Sequence, residues 1–107
     1  MNSLNAYAKT LQKADRYSPK NMRKPITFIC MERQAKHVNL MGDFNEWHPK
    51  SHPLKRQIDG TWQIDVQLSH GHHHYLFSID GEPKLDPRAR GIARNEKNEK
   101  VSMIAVS

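Results

Sequence analysis

Val38-Asn39-Leu40-Met41-Gly42-Asp43-Phe44-Asn45-Glu46-Trp47 reads as an apolar strand that ends at a glycine and passes into a polar turn carrying two aromatic rings. Val38 and Leu40 alternate with Asn39 and Met41 in the period of a half-buried strand, and Gly42, Asp43 and Asn45 are residues that turns favour. Trp47 is therefore expected to stand exposed on a loop beside Asn45 and Asp43. A flat ring held on a rigid scaffold suits stacking on the apolar face of a sugar, whose hydroxyls need polar partners around the rim. The competing role for Phe44 and Trp47 is structural, capping a core, because large aromatics are mostly buried.

Working outward, the same period recurs. Ile26 to Met31 and Lys36 to Met41 are expected strands, and Thr61 to Leu68 is the clearest, with Trp62, Ile64, Val66 and Leu68 alternating with Gln63, Asp65 and Gln67. Trp62 therefore belongs to the core. His72 to Ile79 places Tyr75, Phe77 and Ile79 inward and His74, Leu76 and Ser78 outward, and Val101 to Val106 closes the sheet. Between these last two, Gly81 to Lys100 reads as a long charged connection with Asp86-Pro87 as its turn. Several short strands separated by turn signals indicate an all-β domain.

A chain of 107 residues with 36% hydrophobic content encloses one core and not two. No apolar run approaches a membrane span, and the first residues lack the apolar segment of a signal peptide, so a cytoplasmic protein is expected. Cys30, the only cysteine, shares parity with Ile26 and Phe28 and reads as a buried structural thiol.

The net charge of +6 is concentrated at one end: Lys9, Lys13, Arg16, Lys20, Arg23 and Lys24 stand against Asp15 alone, a net +5 in the first 25 residues. This divides the chain into a basic arm, residues 1–24, and a near-neutral domain, residues 25–107. Within the arm, Leu4, Tyr7, Ala8 and Leu11 follow the spacing of an amphipathic helix with Ser3 as its N-cap, and Tyr17 to Lys24 reads as linker. About twelve residues form a marginal helix alone, so the stripe calls for a surface to cover it. A basic arm also suits nucleic acid or an anionic surface, but it lacks the interleaved aromatics of a single-strand binder, which makes this the minor reading.

Gly42-Asp43-Phe44-Asn45-Glu46-Trp47, then Asp59-Gly60-Thr61-Trp62, Tyr75-Leu76-Phe77-Ser78-Ile79-Asp80-Gly81 and Asp86-Pro87 together resemble the isoamylase early-set domain. That family is the family 48 carbohydrate-binding module, found also as the glycogen-binding domain of the AMP-activated kinase. The resemblance runs from about Pro25 to Val106. It implies an immunoglobulin-like early-set β-sandwich, noncatalytic, that recognises α-1,4-glucan, with Ile104 and Val106 facing in and Val101 and Met103 facing out. On that basis Trp47 is the stacking platform, and Asn45, His74 and Lys84 are the candidate polar contacts.

The resemblance also marks three departures. Glucan-binding members carry a lysine where this chain has Leu76, a second tryptophan where it has Pro83, and an asparagine where it has Val101. Loss of one stacking ring costs on the order of 1–3 kcal/mol if sugar stacking is like base stacking, or roughly ten- to a hundredfold in affinity. Weak glucan binding is therefore expected. Leu76, Val101 and Met103 would form an apolar patch near Trp47, and such patches mark contact surfaces. The alternative function is thus a protein-interaction module whose degenerate sugar face meets the Leu4, Tyr7 and Leu11 stripe, a second copy, or a glucan-metabolising enzyme.

His70, His72, His73 and His74 open a strand, with His72 and His74 on one side and about 6.6 Å apart. A stable zinc site needs three or four ligands and nothing in the sequence completes one, so neither metal nor cofactor is expected. There is no nucleophile elbow and no phosphate-binding glycine loop. Asp43 and Glu46 on one short loop are turn chemistry, not a glycosidase pair, and the chain is not expected to be an enzyme.

Overall fold

The computed structural model describes residues 22–107 as an immunoglobulin-like sandwich of two antiparallel sheets. In chain order the strands are β1 (Arg23–Cys30), β2 (Val38–Gly42), β3 (Lys55–Arg56), β4 (Trp62–Ser69), β5 (Gly71–Ile79), β6 (Glu82–Lys84), β7 (Gly91–Arg94) and β8 (Lys100–Val106). One sheet has the order β1-β4-β3; the other runs β2-β5-β8-β7, with β6 paired to the second half of β5. Among the described residues, no helix is long and apolar enough to cross a membrane. The stripe Leu4, Tyr7 and Leu11 lies outside the described residues.

Alternation places the core. Phe28 and Cys30 of β1, Val38 and Leu40 of β2, Trp62, Val66 and Leu68 of β4, Tyr75 and Phe77 of β5 and Val106 of β8 form one buried cluster between the sheets. Ile104 packs against it. The Tyr75 ring stands edge-on to Phe28, with centroids 4.9 Å apart, and so joins the two sheets through a favourable aromatic geometry. Trp62 donates its indole N–H to the Glu32 carbonyl at 3.1 Å, which satisfies the one polar atom of a buried ring. Cys30 is free and buried, and burial raises its thiol pKa.

Three expectations are corrected. The expected linker Tyr17 to Lys24 gives way to strand at Arg23, where Arg23 and Lys24 pair with Ser69 and Leu68. The connection from Gly81 to Lys100 contains β6 and β7, and β3 is an unforeseen third strand beside β4. These strands are two to four residues long and mostly exposed, so tertiary pairing, not hydrophobic period, makes them.

Candidate functional site

The turn after β2 is built by its own polar side chains. Asn45 and Trp47 both donate backbone N–H to the Gly42 carbonyl, at 3.1 and 2.8 Å, and Glu46 and Trp47 take left-handed φ values of 56° and 59°. Such backbone is costly for a residue with a Cβ and persists where its surroundings dictate it. Here Asn45 dictates it: its Oδ1 accepts from Gly42 N at 3.0 Å and its Nδ2 donates to the Leu40 carbonyl at 3.0 Å, with His52 Nδ1 2.9 Å away. The Asn45 amide therefore holds the loop's frame and faces inward to protein partners.

Asp43 fastens the same turn to β5. Its N–H donates to the His74 carbonyl and its Oδ2 accepts from His74 N–H, both at 3.0 Å. Its Oδ1 meets His73 Nδ1 at 3.3 Å, and His73 Nε2 donates to the Ser69 carbonyl at 2.9 Å. Phe44 turns inward, its ring 6.2 Å from Phe28, and lies against Gly42 so closely that a Cβ there would overlap the ring. The two aromatics of the motif thus separate: Phe44 completes the core, and Trp47 stays on the turn. Trp47, expected to stand exposed on the loop, is half-buried there.

Register sorts the remaining candidates by face. Directly paired residues of antiparallel strands share a side. Met41 pairs with Leu76, Asn39 with Ser78, His74 with Met103, Pro83 with Ser78 and Ala93 with Val101, and none of these nine positions joins the core cluster. They form the outer face of the five-stranded sheet, which brings His74, Leu76, Pro83, Val101 and Met103 together. Val101 is nevertheless fully buried on that face, and Leu76 and Met103 are half-buried, so the anticipated apolar patch is less open than the resemblance implied. Lys84 pairs with the core residue Phe77, which puts it on the side opposite His74. Its ammonium lies 3.7 Å from Glu82 at the sheet edge.

Beside the Trp47 turn, the outer face carries a hollow of about 840 Å³ that includes Asn39 and Ser78, the loop residues Pro49 and Lys50, and the Asp80-Gly81 turn. Asp80 shapes its far wall: Oδ1 accepts from the N–H groups of Lys36 and His37 at 2.9 and 2.8 Å, and these bonds lower its pKa. Asn39 and Lys50 were not singled out from sequence. Asn39 is the outward partner of an alternation read for its inward residues, and Lys50 reaches the face only through the loop's path. No group of three or more His, Cys, Asp or Glu among the described residues is placed to hold a metal ion.

Comparison with known proteins fits this geometry. The family model of the glycogen recognition site of AMP-activated protein kinase matches residues 25–107. The 1,4-alpha-glucan branching enzyme GlgB of Bradyrhizobium sp. (strain ORS 278) is 30% identical over 70 residues, covering 60% of this chain and 10% of the enzyme. GlgB 2 of Xanthomonas campestris pv. campestris (strain 8004) is 30% identical over 70 residues, with 61% and 10% covered. The chain thus spans about a tenth of the length of these relatives. The crystal structure of maltogenic amylase from S. marinus shares the fold, with a TM-score of 0.68 and 23% identity over 79% of this chain and 14% of that one.

Proposed function

We propose, since this chain belongs to the family of the glycogen recognition site of AMP-activated protein kinase, that it is a noncatalytic module binding α-1,4-glucan on the outer face of its five-stranded sheet. Trp47 is the stacking ring. Asn39 and Lys50 supply polar contacts in the adjoining hollow and His74 one further along the same face, while Asn45 serves the loop and Lys84 stands on the other side. The observation that carries this reading is the double attachment of the Trp47 turn, by Asn45 to β2 and by Asp43 to His74 of β5. A ring fixed in place before binding loses little entropy on meeting a sugar. Leu76, Pro83 and Val101 remove contacts that relatives are expected to use, so the affinity is weak.

Native electrophoresis through gels with and without glycogen tests this reading. Retardation of the wild type that disappears in a folded Trp47→Ala variant supports it; equal migration of both proteins in both gels removes it. A second reading rests on the shared face of Leu76, Val101 and Met103: a contact surface for a glucan-metabolising enzyme or for a second copy. It gains if glycogen has no effect and Leu76→Asp abolishes an association seen by sedimentation.

A further inference from the structure

Phe44 packs against two histidine rings, His52 at 6.0 Å and His73 at 6.3 Å between centroids, each set steeply across it. Backbone fixes where both rings start. The His52 carbonyl accepts from Leu40 N–H at 2.9 Å, and Leu54 N–H donates to the Val38 carbonyl at 2.8 Å, which pins the return segment to β2. His73 lies in β5 opposite Ile104 of β8. The polar partners of the two rings differ in kind. His52 Nδ1 meets the Asn45 amide Nδ2 at 2.9 Å, and that nitrogen can only donate; Asn45 Oδ1 is the atom that accepts from Gly42 N–H. Ser51 Oγ, 3.1 Å from the same ring nitrogen, accepts from Asn45 Nδ2 at 3.2 Å and keeps its own proton for the ring. His73 instead faces acceptors on both sides, Asp43 Oδ1 at 3.3 Å from Nδ1 and the Ser69 carbonyl at 2.9 Å from Nε2. Its side chain is only 13% exposed, so water does little to relieve a mismatch there.

We propose that His52 and His73 are positioning residues of the Trp47 turn with opposite proton demands: the turn needs His52 unprotonated at Nδ1 and His73 protonated on both nitrogens. An imidazole changes its charge between about pH 5 and 8. A proton on His52 Nδ1 would point at the Asn45 amide hydrogens. Turning the amide over to meet it would take from the buried Gly42 and Leu40 the Asn45 partners of their N–H and carbonyl groups. A second proton on His73 works the other way. The neutral ring donates to only one of its two acceptors, whereas the imidazolium donates to both and adds charge to the Asp43 contact. Acidification therefore loosens the Asn45 frame and tightens the tie from Asp43 to His74. Other charged and titrating groups border the hollow of about 760 Å³ that the two rings share: Arg23 from β1, Asp65 from β4, which accepts from the Thr27 hydroxyl at 2.6 Å, and His70 and His72 from the β4–β5 hairpin. Their charges are common to wild type and variants, so the share of each positioning histidine is read as a difference between proteins. Resting on the glucan reading above, the inference makes sugar affinity the resultant of two opposed protonations.

Amide hydrogen exchange of the sugar-free protein, corrected for intrinsic rates, tests this from about pH 8 down to about pH 5. The Gly42 amide reports the Asn45 frame, and the His74 amide reports the Asp43 carboxylate. The expected wild-type result is a fall of about two- to fivefold in Gly42 protection and a rise of similar size for His74. His52→Asn should abolish the first change and keep the second, and His73→Asn should do the reverse. Both amides moving in the same direction in wild type, or neither moving, would overturn the proposal, as would either change surviving in its own variant. Glycogen gels at the two ends of the range extend the test to the sugar. Relative to wild type, acidification should favour retardation of His52→Asn and disfavour that of His73→Asn; the reverse order overturns the link to binding. If glycogen retards none of the three proteins, the glucan reading fails and the exchange result alone decides the proton demands.

Discussion

Asp43 and His74 exchange a pair of hydrogen bonds, backbone N–H to carbonyl in one direction and backbone N–H to carboxylate in the other, each 3.0 Å long. The exchange ties the turn that carries Trp47 to the strand that carries Leu76, so aromatic platform and sheet face behave as one body. Asp43→Ala keeps the backbone bond and loses the carboxylate bond. It is expected to lower stability by about 1–2 kcal/mol and to reduce glycogen retention more than its stability loss explains. Urea midpoints with parallel affinity gels check both effects, and Asp43→Asn should recover part of each.

Gly42→Ala tests the separation of the two aromatics. A methyl at this position meets the Phe44 ring and comes 2.8 Å from the His74 carbonyl oxygen. Overpacking of this kind costs about 1–3 kcal/mol, and thermal denaturation should show it. Pairing it with Phe44→Leu should relieve much of the cost, since the smaller side chain vacates the contact.

Tyr75 predicts an alkaline limit. Its hydroxyl donates to Asp86 Oδ2 at 2.7 Å, and burial followed by that carboxylate raises its pKa far above the ordinary 10.0. A raised pKa means that the unfolded chain releases the proton first. The contribution is therefore intact below pH 10 and declines as pH climbs beyond it. Denaturation midpoints measured from pH 8 to 11 should fall at the upper end, and Tyr75→Phe should flatten that fall while lowering stability at neutral pH.

Asp59 and Asp80 predict the acid limit with the opposite sign. Both carboxyl pKa values lie below the ordinary 3.8, Asp59 through the Thr61 hydroxyl and N–H, Asp80 through the N–H groups of His37 and Lys36. Each contribution is present above that value and disappears as pH falls through the folded one. Carboxyl NMR titration should find both below free aspartate, and Asp80→Ala should reduce the stability lost on acidification.

Much of the fold was legible because the long strands alternate cleanly: Trp62, Val66, Leu68, Tyr75 and Phe77 all lie in the core where parity put them. The short strands were not, since Glu82-Pro83-Lys84 and Gly91-Ile92-Ala93-Arg94 carry too little apolar period to distinguish strand from loop. The candidate site was legible in part. The Trp47 turn could be read from residue type, but the commitment of the Asn45 amide to the loop depends on the return segment His52 to Leu54 running back beside β2. Lys84 was misplaced for a related reason, because its side of the sheet follows from its register with Phe77 and not from local pattern.

The three departures predict a gain of function. Leu76→Lys and Pro83→Trp place a donor and a second ring on the outer face, and together they should strengthen glucan binding by roughly tenfold or more, read as the glycogen concentration that halves mobility. Unchanged mobility would show that these positions do not touch the sugar.

Titration of 15N-labelled protein with maltoheptaose tests the central claim most directly. The account predicts saturable shifts of the Trp47 indole signal and of the amides of Asn39, Lys50 and His74 below about 10 mM ligand, with β1 and β4 unmoved. Shifts confined to β1, β4 or the Lys84 edge, or no shifts at that concentration, would contradict a glucan site on the outer face.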